Sequence, residues 1–216
     1  MTTKKSSATR EKILETALRL FRKRGFERTT MRDVAKAAGV AVGAAYYYFP
    51  SKDALVMAYY ERTQANHTTL AREKMSAATS LDGRLRAVLH TKIDTIERDR
   101  KLLSALFRSA GDPASELSIF AGKTRRVRDE SIALFREALA AEKLPAELES
   151  ALALALWSLS MGIVLFFIHD ESPNHEKTRR LVDRSVETLA PMMPMAPMLA
   201  PLGTSVLGVL REVGLA

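Results

Sequence analysis

Apolar residues along the chain recur at helical spacing, and no stretch alternates apolar and polar with period two. The chain is therefore predicted to be all-α. Its most tightly punctuated stretch is residues 30–55, TMRDVAKAAGVAVGAAYYYFPSKDAL. Met31, Val34, Ala35 and Ala38 fall at i, i+3, i+4 and i+7, one apolar helix face. Thr30 stands where a hydroxyl can cap the first turn, and Gly39 stands where a helix end wants a left-handed residue. A second short helix fits Ala41 to Tyr48. Pro50-Ser51 then breaks the chain, and Ser51 caps a third helix with Asp53 in its first turn. Two short helices at a tight glycine turn form the helix-turn-helix pattern.

The rest of the chain is read around that motif. Residues 1–8 are polar and are expected to form a mobile arm. Thr9 is expected to cap a first helix with the buried stripe Ile13, Leu14, Ala17, Leu18 and Phe21, ended by Gly25 and followed by Phe26 as a core plug. A long helix is predicted from Ser51 to about Met75, entering a second domain from about Gln64. Further helices are predicted over about Leu81–Arg98, Lys101–Ala110 and Ala114–Glu142, with Gly111-Asp112-Pro113 as a strong break. Pro145 opens a helix containing the uncharged run Ala151–Ile168, and Asn174 caps a last one, about His175 to Ala190. The Pro- and Met-rich segment APMMPMAPMLAP, residues 190–201, is expected not to continue a helix; residues 203–213 can form a short terminal one. The division is a helix-turn-helix domain over 9–55, a helical domain over 56–190 and a Pro/Met-rich tail over 191–216.

Charge sharpens this picture. The net charge is +8, and residues 1–55 carry twelve Lys/Arg against five Asp/Glu, so +7 of it sits on the motif-bearing segment. That is the electrostatic footprint of a nucleic-acid binder; a solvated basic face is the plainer reading of the same charges. Ala41, Val42, Gly43, Ala44 and Ala45 are too small to make a core alone, but they let a backbone approach a groove floor closely. The phenols of Tyr46, Tyr47 and Tyr48 can donate to phosphates, and Lys52 can add an ammonium. Three consecutive helical residues point about 100° apart, so one tyrosine is expected inward and two outward. There is no cysteine, hence no disulfide frame and no thiolate zinc site. The N-terminus lacks an apolar signal region, so a cytoplasmic protein is expected.

Residues 10–55 resemble the DNA-binding domain of the tetracycline-repressor (TetR) family of transcriptional regulators. The resemblance rests on Thr30, Val34-Ala35, Ala38-Gly39-Val40, Gly43, Tyr46, Phe49 and Lys52 through Leu55. Two residues depart from it: Ala41 stands where the family often has Ser or Thr, and Tyr48 where it often has His. The candidate DNA-binding set is Thr30, Arg32, Val40, Ala41, Val42, Gly43, Ala44, Tyr46, Tyr47, Tyr48 and Lys52. Phosphates are expected at Thr30, Tyr47, Tyr48 and Lys52, base edges at Ala41 to Ala44. The resemblance implies a homodimer through the last two helices, here those over Ala151–Ile168 and His175–Ala190. It also implies a small-molecule effector, largely apolar, bound in the helical domain. Candidate pocket residues are His90, Phe107, Phe120, Trp157, Met161 and Phe166, each equally readable as ordinary core. A two-fold dimer reads two half-sites, so the expected partner is double-stranded DNA with a palindromic operator.

Other functions are excluded on the residues. Gly122-Lys123-Thr124 resembles the end of a phosphate loop, but that loop needs a glycine where Leu117 stands, and a preceding strand. Histidines 67, 90, 169 and 175 lack metal-ligand spacing, so no metal or other cofactor is expected. No G-x-S-x-G elbow occurs, so no enzyme is expected. The run Ala151–Ile168 is at the lower edge of a membrane span, but acidic flanks (Glu147, Glu149, Asp170, Glu171) and Ser158, Ser160 and Gly162 favour a buried helix.

Overall fold

The structure is a computed structural model and describes residues 2–110, 115–199 and the isolated positions 201, 205, 208 and 212. The helices are α1 (Thr2–Arg24), α2 (Met31–Ala38), α3 (Val42–Tyr48), α4 (Lys52–Ser76), α5 (Leu81–Ile96), α6 (Arg100–Ala110), α7 (Arg125–Leu139), α8 (Ala146–His169) and α9 (Glu176–Leu189). Short 3-10 turns lie at Glu97–Asp99, Gly122–Thr124, Ala140–Glu142 and Pro173–His175. No strand occurs among the described residues, so the chain is all-α as its periodicity predicts. The chain folds as two compact units, residues 1–63 with 99–125, and residues 64–98 with 126–216. The boundary falls inside α4. The sequence division at 55/56 differs from these units, which group residues 99–125 with the N-terminal segment.

The first unit is built on the apolar stripe of α1. Ile13, Leu14, Ala17, Leu18 and Phe21 are buried, and Phe26 packs edge-on against Phe21 with ring centroids 5.2 Å apart. Met31, Val34, Ala35 and Ala38 of α2 close over them, joined by Ala45, Phe49, Leu55 and Tyr59. Leu102, Leu106 and Leu117 belong to the same core, which is why residues 99–125 gather here. Each leucine, isoleucine, valine, phenylalanine or methionine side chain so removed from water contributes about 1.5–3 kcal/mol. Arg22 of α1 bonds the buried Asp99 at 2.5 Å, and Arg62 reaches Glu11 and Glu15.

Two expectations fail in this unit. Residues 2–8 do not form an arm: α1 begins at Thr2, and Thr9 lies inside it rather than at its cap. No glycine or proline interrupts residues 2–24, so nothing stops the helix from running back. The helix predicted from Ala114 starts only at Arg125. Ser115 and Ser118 hydroxyls accept from Leu117 and Phe120 N–H, and the Thr124 hydroxyl donates to the Ser118 carbonyl at 2.6 Å. Side-chain oxygens thus supply backbone partners that a helix would otherwise supply. The predicted break at Gly111-Asp112-Pro113 lies outside the described residues.

The second unit packs α5 and α8 against α9. Its core includes Leu85, Val88, Leu89 and Ile93 of α5, Phe135 of α7, Leu156, Trp157, Ile163 and Phe167 of α8, and Val182 and Val186 of α9. Helix α8 is long and apolar enough to cross a membrane, but one face is core: Ala153, Leu156, Trp157, Ser160, Ile163 and Phe167 recur at helical spacing and are buried. Its opposite face, with Ala155, Ser158, Gly162, Leu165 and Phe166, is exposed. On α5 and α9, Arg86 pairs with Asp82 and Asp183, and Asp183 also meets His90 at 2.9 Å.

The turn into α9 departs from expectation. Asn174 does not cap the helix; it and His175 sit in left-handed backbone, φ 51° and 52°. His175 stands at the N-cap with no side-chain cap bond, and the capping carboxylate is that of Asp170, 4 % exposed. Its Oδ2 accepts from Thr178 N (2.8 Å) and Oγ1 (2.6 Å), and its Oδ1 from Ser172 N (2.9 Å) and Oγ (2.6 Å). Burial opposes ionisation of this carboxyl, yet the four hydrogen bonds prevail and hold it far below the usual carboxylate range. After α9 the chain continues as a 3-10 helix over Ala190–Leu199 rather than as irregular tail. Prolines 191, 194 and 197 recur at the three-residue period of that helix, which tolerates them where an α-helix does not. The helix expected over 203–213 lies almost wholly outside the described residues.

Candidate nucleic-acid interface

Helix α2 is closed at both ends by local chemistry. Thr30 Oγ1 accepts from Asp33 N at 3.2 Å, while Asp33 Oδ2 accepts from Thr30 N at 2.9 Å and from the Thr30 hydroxyl at 2.6 Å. The Thr30 hydroxyl bond, then its backbone bond, hold the Asp33 carboxyl below its ordinary range. This reciprocal capping box is legible as Thr-x-x-Asp, a signal that the reading of Thr30 alone missed. Gly39 takes φ +64°, where a side chain would be strained, and its N–H reaches the Lys36 carbonyl at 3.2 Å. Val40 N–H bonds Ala35 O at 3.0 Å, and Ala41 then leads into α3 with no side-chain cap.

The start of α3 faces outward. Ala41, Val42 and Gly43 are exposed, Ala44 is half-buried, and Ala45 turns into the core. A Cβ placed on Gly43 would meet no atom within 4 Å, so nothing in the fold requires a glycine there. Tyr46 is 47 % and Tyr47 81 % exposed, while Tyr48 packs half-buried on the core, one inward and two outward as the spacing predicts. The Tyr48 hydroxyl lies 3.2 Å from Ser6 Oγ, on the part of α1 that the sequence reading left as an arm. Arg28, Arg32 and Lys36 are exposed around α2, and Val40 packs half-buried against the core.

Two expected phosphate ligands are already engaged. The Thr30 hydroxyl proton is used by Asp33. The Lys52 ammonium donates to the Phe26 carbonyl at 3.0 Å and sits 4.3 Å from the Phe26 ring centroid, fastening the turn between α1 and α2.

The comparisons with known proteins agree with this geometry. A family model described as bacterial regulatory proteins, tetR family, matches residues 13–59, and one described as Tetracyclin repressor-like, C-terminal domain, matches residues 84–204. The chain belongs to the TetR family. Among curated TetR relatives, the HTH-type transcriptional regulator TtgR of Pseudomonas putida is 36 % identical over 128 residues, 59 % of this chain and 51 % of that one. The chain thus spans about half the length of that relative. The regulator AcrR of Shigella flexneri is 30 % identical over 155 residues, 68 % of this chain and 72 % of that one. A putative TetR-family regulator from Syntrophomonas wolfei has a similar structure, with TM-score 0.68 at 17 % identity, covering 85 % of this chain and 95 % of that one. FadR of Bacillus subtilis, solved in complex with stearoyl-CoA, has TM-score 0.64 at 16 % identity, covering 83 % and 97 %. These two likenesses show the TetR fold.

The residues picked for an effector pocket are divided between the two units. Phe107 and Phe120 belong to the first unit, half-buried and exposed respectively. In the second, Trp157 is buried, Met161 half-buried, and Phe166 lies on the exposed face of α8. His90 is spent on Asp183 in the polar seam of α5 and α9. Among the described residues no cluster of His, Asp or Glu is arranged to hold a metal ion.

Proposed function

We propose that this TetR-family chain acts as a homodimeric, sequence-specific regulator of transcription, a repressor that leaves a palindromic operator when a largely apolar small molecule binds. The observation that carries the reading is the start of α3: small, exposed and uncapped residues on a corner whose other helix is fully capped. Ala41, Val42, Gly43 and Ala44 meet base edges in the major groove, while Tyr46, Tyr47 and Arg32 reach phosphates. Thr30 acts by fixing α2, and Val40 and Tyr48 by seating α3 on the core. Lys52 holds the α1–α2 turn with part of its ammonium and offers a remaining N–H to the backbone of the duplex. The exposed face of α8, running through Ala155, Gly162 and Phe166, supports dimerisation through α8 and α9. Release is a population shift: the effector lowers DNA affinity only as far as it prefers the released state. The protein works in the cytoplasm, where its DNA is.

Selection of the purified full-length chain against random duplex DNA at physiological salt tests this. The expected result is an enriched palindrome bound by two protomers, about 10³-fold or more above non-specific duplex. Weak, salt-sensitive binding with no enriched sequence overturns it.

A further inference from the structure

Within the second unit, α4 and α5 bring together a polar cluster that no other described residue completes. Gln64 and His67 are only 2 % and 1 % exposed. His67 Nε2 lies 2.9 Å from the Val88 carbonyl. A carbonyl only accepts, so Nε2 carries the proton and Nδ1 presents a lone pair. That Nδ1 is buried and has no partner among the described residues. Four residues after Val88 on α5, Lys92 donates to Gln64 Oε1 at 3.2 Å, while Gln64 Nε2 donates to Thr68 Oγ1 at 3.2 Å. Among the described residues no carboxylate pairs with Lys92, and its partner there is this neutral amide.

A buried acceptor with no donor is costly, and so is a half-buried cation held only by a neutral group. Burial, and then the nearby Lys92 charge, push His67 down to about 3, and burial pushes Lys92 down to about 8. Both groups carry the mark of a missing partner, and their needs are complementary: Nδ1 lacks a donor, and the ammonium lacks a negative acceptor. A water molecule would serve the first and leave the charge uncompensated. One acidic hydroxyl serves both: with its proton in place it donates to Nδ1 while its neutral oxygen accepts from the ammonium, and once the proton passes to Nδ1 the same oxygen carries the negative charge that faces Lys92.

We infer that His67 and Lys92, oriented by Val88 and Gln64, form the polar anchor of the effector site for an apolar molecule bearing one weakly acidic hydroxyl, a phenol or a carboxylic acid. The O–H is donated to His67 Nδ1 and the oxygen accepts from Lys92 Nζ. This deepens the effector-responsive reading above and rests on it. Whichever side of the O–H···N bond the proton settles on, the count is unchanged and the ammonium faces a matching oxygen.

Calorimetry on the full-length protein decides it, with decanoic acid, 4-hexylphenol and methyl decanoate as probes. The acid, the phenol or both are expected to bind about tenfold or more tightly than the ester, which offers no O–H and no charge. The arm that wins identifies the source of the hydroxyl. Lys92→Met and His67→Phe are expected to abolish that preference without lowering the melting temperature. Equal binding of all three probes, or a preference that survives Lys92→Met, overturns the anchor. If Lys92→Met does not fold, the comparison of probes on the wild-type protein still decides. Failure to enrich any duplex overturns the regulator reading separately, and an acid that binds without releasing the selected duplex overturns only the effector role.

Discussion

Two helix–turn–helix corners in this protein solve the same problem in opposite ways. Between α2 and α3 the turn is three residues long and is closed by backbone bonds and one glycine, and α3 begins with no side-chain cap. Between α8 and α9 the turn is organised by one buried carboxylate, Asp170, which accepts four hydrogen bonds while Asn174 and His175 take left-handed backbone without being glycine. The first corner leaves the start of α3, Ala41 to Gly43, small and exposed. The second spends its polar groups on itself. On the function proposed above, the corner that meets DNA keeps the side chains at the start of α3 back, while the corner that holds α8 and α9 together uses its own.

The comparison can be broken most severely at the core beneath the first corner. Phe49, 1 % exposed, ends α3 and lies under the Arg10 guanidinium. Phe49→Ala is expected to cost about 3–5 kcal/mol in urea denaturation followed by circular dichroism, and to abolish duplex binding with it. The next effect belongs to the second corner. Asp170→Asn is expected to cost about 2 kcal/mol at neutral pH, by loss of charge-assisted acceptance. Because the folded carboxyl is depressed, its contribution is complete above its unfolded pKa and is lost as pH falls through the lowered one. Stability of the wild type should therefore fall more steeply than that of Asp170→Asn below about pH 4. A variant that follows the wild-type acid profile would show that the cap does not depend on this charge.

Smaller changes sharpen the contrast within the first corner. Gly39→Ala forces a side chain into φ +64° and is expected to cost about 1–2 kcal/mol. Gly43→Ala should do the reverse for stability, raising it by about 0.5–1 kcal/mol, since a methyl there meets nothing and alanine suits a helix better. It should nonetheless weaken binding to the selected duplex by about tenfold, or 1.4 kcal/mol. A Gly43→Ala protein that binds DNA as well as the wild type would remove α3's start from the interface.

Legibility in the sequence follows the range of the interactions. The α2–α3 corner is readable because its determinants lie within a few residues of one another: Thr30, the apolar face of α2, Gly39, and Ser51, whose hydroxyl accepts from Ala54 N. The α9 cap was misplaced onto Asn174 because Asp170 acts across eight residues on Thr178. The grouping of residues 99–125 with the first unit was missed for the same reason, since Asp99 meets Arg22 across 77 positions. The cluster at His67 was passed over because a histidine's unmet bond becomes visible only when its neighbours in space are known. In the candidate interface, the outward tyrosines and small residues were legible, while the engagement of Thr30 and Lys52 with the protein itself was not.

The one tryptophan of the chain, Trp157, sits 5 % exposed in the second unit. The unit that carries the α2–α3 corner is thus optically dark at indole wavelengths. A change in indole emission on adding duplex DNA would report on the surroundings of Trp157 in the second unit, so the protein carries its own unlabelled reporter there.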